Sequence, residues 1–244
     1  MNVKLTVSYD GTAYCGWQLQ KNGISVAETL NAAIERVTGE KVRVVGSGRT
    51  DAGVHAEGQV ACFRTDAAVP TEKFYKAINA FLPPDVRVLK SERVADDFHP
   101  VKNAKKKTYE YSAYFSRTEL PLKERYAIKL DDNVSVAAME KAAKLLVGEH
   151  DFKSFCSTGS SVKTTVRTIY SFDVTRENEN VKFTVTGNGF LYNMVRIMVG
   201  TLLEIGKGKL SEKDLADMLS GGGRSKGGKT VPAKGLCLKS VIYD

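Results

Sequence analysis

The sequence predicts an α+β protein of two similar halves, each a mixed, mainly antiparallel sheet with helices on one face. Three observations predict it. Stretches with the two-residue period of strands interleave with stretches at helical spacing, without the strict alternation of a parallel α/β sheet. The theme runs twice, on either side of the basic segment 102–107, which places domains at 1–104 and 105–244. Apolar residues make up 42% of the 244 and charged residues 26%, enough apolar surface for proper cores and too ordinary a balance for a disordered chain.

In the first half, Val3, Leu5, Val7 and Tyr9 alternate with Lys4, Thr6 and Ser8, the pattern of a half-buried strand. Ser25 and Glu28 have the spacing of a capping box, followed by a helical stripe of Val26, Leu30, Ile34 and Val37 that Gly39 stops. A strand over Lys41 to Val45, a turn around Asp51 and a strand over Gln59 to Phe63 follow. Thr71 to Phe81 reads as a helix halted by Pro83-Pro84, and Val86 to Val94 as strand. The second half opens with a strand, Thr108 to Phe115, with Tyr109, Tyr111 and Ala113 on one face. A helix runs from Ser135 through Val147 and closes at Gly148. Thr165 to Thr175 and Val181 to Thr186 form a hairpin about 177–180. Leu191 to Ile205 is the most apolar helix; it is too short to span a bilayer and carries Arg196 and Glu204, so it reads as a core helix. A helix over Ser211 to Leu219, a glycine-rich loop and a strand over Leu236 to Tyr243 complete the chain.

Lys plus Arg number 36 against 28 Asp plus Glu, a net +8, which suits an anionic partner and above all nucleic acid. Cys15, Cys62, Cys156 and Cys237 lie far apart, as do His55, His99 and His150. That spacing fits neither a zinc site nor a disulfide framework; reduced thiols and no metal are expected. The start of the chain has no basic and apolar leader pattern, and a cytoplasmic protein is expected.

Two glycine motifs invite phosphate-binding readings. Gly46-Ser47-Gly48 starts like a dinucleotide fingerprint, but its third glycine would fall where Asp51 stands, and a carboxylate there repels a pyrophosphate. Residues 223–230 satisfy G-x-x-x-x-G-K-[ST], yet a helix precedes them and Pro232 follows, the wrong setting for a P-loop. A basic loop near RNA fits the segment better. Lys102, Lys105, Lys106 and Lys107 run into Tyr109, Tyr111 and Tyr114, and cations that meet phosphates beside rings that stack bases suit unstacked RNA. The plainer reading is a solvated charge run beside a core strand. Arg196 lies in an apolar helix, where a guanidinium is costly without an anionic partner unless it reaches the surface.

Residues 48–56, Gly-Arg-Thr-Asp-Ala-Gly-Val-His-Ala, set an acid beside an arginine in a glycine-punctuated turn. A carboxylate so placed can attack carbon or stabilise a developing cation. A capped β-turn of no further purpose is the alternative, as is an RNA-binding protein without catalysis or a P-loop nucleotidase. The nonapeptide closely resembles the catalytic signature of the tRNA pseudouridine synthase A family. Tyr9-Asp10-Gly11 with Tyr14 and Gly16-Trp17-Gln18, Phe98-His99, residues 107–111, residues 188–196 and Gly235-Leu236 match its further blocks in order. Pro100-Val101 stands where the family often has Ala-Arg, and residues 228–232 differ from its usual stretch.

The resemblance implies an isomerase that converts uridine to pseudouridine at positions 38, 39 and 40 of the tRNA anticodon stem-loop, without a cofactor, as a homodimer. It implies a catalytic cleft between the halves. Asp51 is then the nucleophile, Arg49 enters the RNA and helps hold the nucleotide out, Tyr109 packs on the flipped base, and Arg196 pairs with Asp51. Lys102, Lys105, Lys106 and Lys107 are the expected RNA-binding cations.

Overall fold

Val3, Leu5 and Val7 are fully buried and the residues between them are only half so, giving β1 (Asn2–Tyr9) the alternation its sequence predicts. The computed structural model describes residues 1–21, 23–159, 162–221 and 228–243. They divide into two units, Met1–Lys105 with Cys237–Asp244, and Lys106–Leu236.

In the first unit β1 lies between β3 (His55–Arg64) and β4 (Val86–Val94), antiparallel to both. A two-residue β2 (Val45–Gly46) pairs antiparallel with the far end of β3. The last strand, β10 (Leu236–Ile242), joins the near end of β3 in parallel, with Cys237 opposite His55. Helix α1 (Val26–Thr38) starts at the Ser25–Glu28 capping box and ends at Gly39. It buries Leu30 and Ile34. Phe63, opposite Val3 in the sheet, meets Phe74 of α2 (Phe74–Asn79) edge to face at 5.4 Å, which fixes the covered face.

The second unit is again mainly antiparallel with one parallel pair. Strand β5 (Lys106–Phe115) pairs with β9 (Asn180–Gly187), β9 with β8 (Val166–Glu177) and β8 with β7 (Gly148–Asp151), all antiparallel; β6 (Ile128–Leu130) adds to β5 in parallel. The β8–β9 hairpin turns over two residues, with Asn178 at φ 54°. Helices α3 (Val136–Ala143), α4 (Met194–Gly206) and α5 (Glu212–Leu219) complete the unit, and most of α4 is buried, as its composition predicts. This is the α+β architecture of mixed sheets and helices that the sequence predicts. Among the described residues no helix is long and apolar enough to cross a membrane.

Three predicted elements are shorter than their sequence pattern, and in the first a side chain takes a backbone group. Lys41 to Val45 is strand only at Val45–Gly46, because Asn31 Oδ1 of α1 accepts the Val44 N–H at 2.8 Å and withdraws it from a ladder. Thr71 to Phe81 is a 3₁₀ turn over Thr71–Lys73 followed by the short α2. Asn79 at its end accepts the Val88 N–H and donates to the Val88 carbonyl, both at 2.8 Å. The helix that begins at Ser135 is α-helical to Ala143, becomes 3₁₀ over Lys144–Leu146, and Gly148 opens β7.

The Asn79 pair occupies both polar groups of one β4 residue, so their loss leaves two backbone groups without a protein partner. Asn79→Ala is expected to cost about 2 kcal/mol in chemical denaturation, with no change in the secondary structure seen by circular dichroism.

Candidate active site

The loop that carries Asp51 runs from β2 to β3, and a buried glutamine organises its entry. Gln59 is fully buried; its Oε1 accepts from the Ser47 hydroxyl at 2.6 Å and its Nε2 donates to the Gly48 carbonyl at 3.1 Å. The Ser47 N–H donates to the Val60 carbonyl at 2.7 Å. Thr50, also buried, shares a hydrogen bond of 2.8 Å with the Tyr9 hydroxyl, and its carbonyl accepts the Trp17 N–H at 3.0 Å. Burial pushes the Tyr9 phenol above its ordinary range, so it stays protonated and able to donate. The Asp51 carbonyl accepts the Val54 N–H at 3.1 Å, closing a tight turn over Ala52 and Gly53.

The floor of this loop is the opening motif. Gly16 has φ 101°, and a Cβ there would come within 2.6 Å of the Thr50 carbonyl oxygen and 3.1 Å of the Asp51 carbonyl carbon. His55, buried at the start of β3, brings Nδ1 to 3.1 Å from both the Gly11 N–H and an Asp10 carboxylate oxygen. Backbone packed on backbone leaves the turn little room to move. It holds Arg49 exposed, Thr50 buried and Asp51 half-buried in succession, so one peptide segment presents a cation and an acid about a rigid anchor.

The second unit places the other expected residues. Tyr109 stands on β5 opposite Val185, its ring edge-on to Phe190 with centroids 5.2 Å apart. Arg196, in the first turn of α4, is half-buried. Its Nε donates to the Val231 carbonyl at 2.8 Å and a terminal nitrogen to Asn193 Oδ1 at 2.7 Å. Asn193 sits at φ 60° ahead of the helix, and its amide donates to the Ser157 hydroxyl at 3.0 Å. The Tyr111 hydroxyl donates to the next carbonyl, that of Pro232, at 2.8 Å. Two consecutive carbonyls thus fasten the chain after 230 to α4 and β5. Burial pushes the Tyr111 phenol up, and the Arg196 charge opposes it.

The basic run is not uniform. Lys102, Lys105 and Lys106 are exposed, and Lys106 lies over the Tyr170 ring at 5.2 Å. Lys107 is half-buried, and desolvation, then the charge of Arg167, holds its ammonium below the usual range. Of the P-loop-like stretch, residues 223–227 lie outside the described residues. Gly228 donates its N–H to Thr201 Oγ1 at 3.1 Å, and a Cβ on it would come within 2.4 Å of the Gly200 carbonyl carbon. Close packing on α4 accounts for that glycine. Among the described residues no three His, Cys, Asp or Glu side chains converge as a metal site, and none of the four cysteines is in a disulfide.

Gln59, Asn193 and Arg167 were not singled out from the sequence. Gln59 left the one usable signal, a polar residue at the head of the apolar run Val60 to Phe63.

The profile of the family described as tRNA pseudouridine synthase matches residues 5–101 and 142–244. The chain belongs to that family. Similar curated proteins are both called tRNA pseudouridine synthase A. The one from Clostridium acetobutylicum is 46% identical over 242 residues, covering 99% of each chain. The one from Citrifermentans bemidjiense is 47% identical over 244 residues, covering 100% of this chain and 98% of its own. The family isomerises uridine to pseudouridine in tRNA.

The close approach of Gly16 to Thr50 and Asp51 gives a direct test. Gly16→Ala is expected to destabilise the protein by about 2 kcal/mol through its positive φ, read as a lowered melting temperature. Displacing the turn is expected to lower pseudouridine formation about a hundredfold where the variant is still folded.

Proposed function

We propose that the chain converts uridine to pseudouridine at positions 38, 39 and 40 of the tRNA anticodon stem-loop, with Asp51 as the nucleophile. The observation that carries this reading is a half-buried carboxylate on a turn locked by Tyr9, Gly16 and Gln59. The bond from N1 to C1′ breaks, the uracil rotates, and a bond from C5 to C1′ forms. C5 loses a proton and N1 gains one, so nothing is oxidised or reduced and no cofactor is needed. Asp51 attacks the sugar or the base; a carboxylate serves either, as glycosidases show for sugar centres. The uridine must leave its stack, at a cost of about a few kcal/mol.

Arg49, exposed beside Asp51, enters the RNA and keeps the nucleotide everted. Tyr109 packs on the base and is the group proposed to accept the C5 proton, its ring angle set by Phe190. Arg196 supplies the cation that favours an ionised carboxylate, its guanidinium oriented by Val231 and Asn193. Lys102, Lys105, Lys106 and Lys107 meet phosphates. The protein works as a homodimer in the cytoplasm.

Asp51→Asn keeps the shape of the side chain and removes its charge. It is expected to bind a tRNA transcript as the native protein does and to form no pseudouridine; substantial residual turnover would take the nucleophile's role from Asp51. Replacing the exposed Lys102, Lys105 and Lys106 together with alanine is expected to weaken tRNA binding and to reduce the slope of log affinity against log salt by roughly one unit per lost phosphate contact. An unchanged slope would show that these lysines do not face RNA.

A further inference from the structure

Phe63 and Val3 face α2, so their neighbours Cys62, Arg64, Asn2 and Lys4 leave the other face of the first unit's sheet. On that face Asn2 is buried, and its amide donates to the Ala95 and Phe98 carbonyls at 3.0 and 3.1 Å, which lays the segment 95–100 across the strands. The Tyr243 hydroxyl donates to the Pro100 carbonyl at 2.9 Å, and its ring meets that of Phe98 with centroids 5.0 Å apart. Between this segment and the approach to β2 lies a cavity of about 320 Å³, walled by Val42, Val45, Cys62, Phe98 and Pro100.

The floor is apolar and the rim is cationic. Cys62 is buried, and burial pushes its thiol up to about 12, so it stays neutral. Lys41, Arg43 and Arg64 also line the cavity; all three are exposed, and among the described residues none is in an ion pair. One terminal nitrogen of Arg64 donates to the Asp96 carbonyl at 2.8 Å, which holds its guanidinium at the rim. Glu40, the acid beside Lys41, is spent on the Thr65 hydroxyl at 2.7 Å and the Asp66 N–H at 3.1 Å. No carboxylate among the described residues lines the cavity. A concave apolar site of this size with convergent cations suits a small anion that carries a planar apolar part. A nucleotide is such a group, since its base stacks on a ring and its phosphate meets cations.

The Asp51 turn leads into β3 at His55, and Cys62 lies seven residues further along that strand, roughly 23 Å at the extended rise. The cavity is therefore too far from Asp51 to receive the reacting uridine. We propose that it takes one unpaired nucleotide of the tRNA other than the uridine that is isomerised, with the base against Phe98 and Val45 and the phosphate among Lys41, Arg43 and Arg64. This rests on the reading of the chain as a tRNA isomerase. A second hold so far from the reacting group orients a substrate much larger than one nucleotide, and an acidic peptide has no use for the apolar floor.

The test follows binding of a labelled full-length tRNA transcript by fluorescence anisotropy over a range of salt, with pseudouridine formation at saturating tRNA in parallel. Val45→Trp fills the cavity without touching a charge. It is expected to weaken tRNA binding about tenfold and to leave the salt slope unchanged. Arg43→Gln combined with Arg64→Gln is expected to weaken binding as much and to reduce the slope by roughly 0.7 per lost cation. Turnover at saturating tRNA is expected to hold in both, since neither touches the Asp51 turn. Val42→Trp fills the same cavity and gives the comparison should Val45→Trp fail to fold. Solvated rim cations, a site for a free mononucleotide or a site for an acidic peptide would each leave tRNA affinity native in a folded tryptophan variant, and that result would overturn the proposal. Absence of pseudouridine with the native protein would instead overturn the isomerase reading, and binding would still decide the cavity.

Discussion

The contact between the backbone at Gly16 and the backbone of Thr50 and Asp51 is the constraint on which the candidate site depends. A reactive carboxylate on a loop is of little use if the loop moves, since catalysis by placement is lost over about an ångström. Here the loop rests on another segment with no side chain between them, and Gly16 takes a positive φ to permit it. Hydrogen bonds then remove the remaining freedom: Tyr9 holds Thr50, and Gln59 holds Ser47 and Gly48. The opening motif and the Asp51 motif are distant in the chain yet form one object.

The second unit applies the same economy to cations. Arg196 is oriented by a carbonyl and by Asn193, which itself sits at an unusual φ and is tied to Ser157. Lys107 and Arg167 are half-buried on the face that carries Tyr109. A partly desolvated cation interacts more strongly with a phosphate than a solvated one, because less water screens the pair.

Much of this was legible in the chain itself. Alternation marked β1, β4 and β5, and the Ser25 box and Gly39 bounded α1. Where the pattern misled over Lys41 to Val44, the cause was a side chain acting at a distance: Asn31 takes the Val44 N–H. The nonapeptide pointed to Asp51 because several residue types rarely coincide by chance. Gln59 and Asn193 carried no such mark, since a side-chain amide looks ordinary until its neighbours are known.

Composition and periodicity by themselves determined the class of fold, the strands and helices, the basic character and the acid on its turn. These are local properties, set by the two- and 3.6-residue repeats and by side-chain chemistry. Only the tertiary structure decided that the last strand returns to lie parallel to β3 and that Gly228 packs on α4. The physical reason is that parallel pairing and close backbone approach depend on partners far along the chain, and no repeat within a segment records which distant surface it will meet.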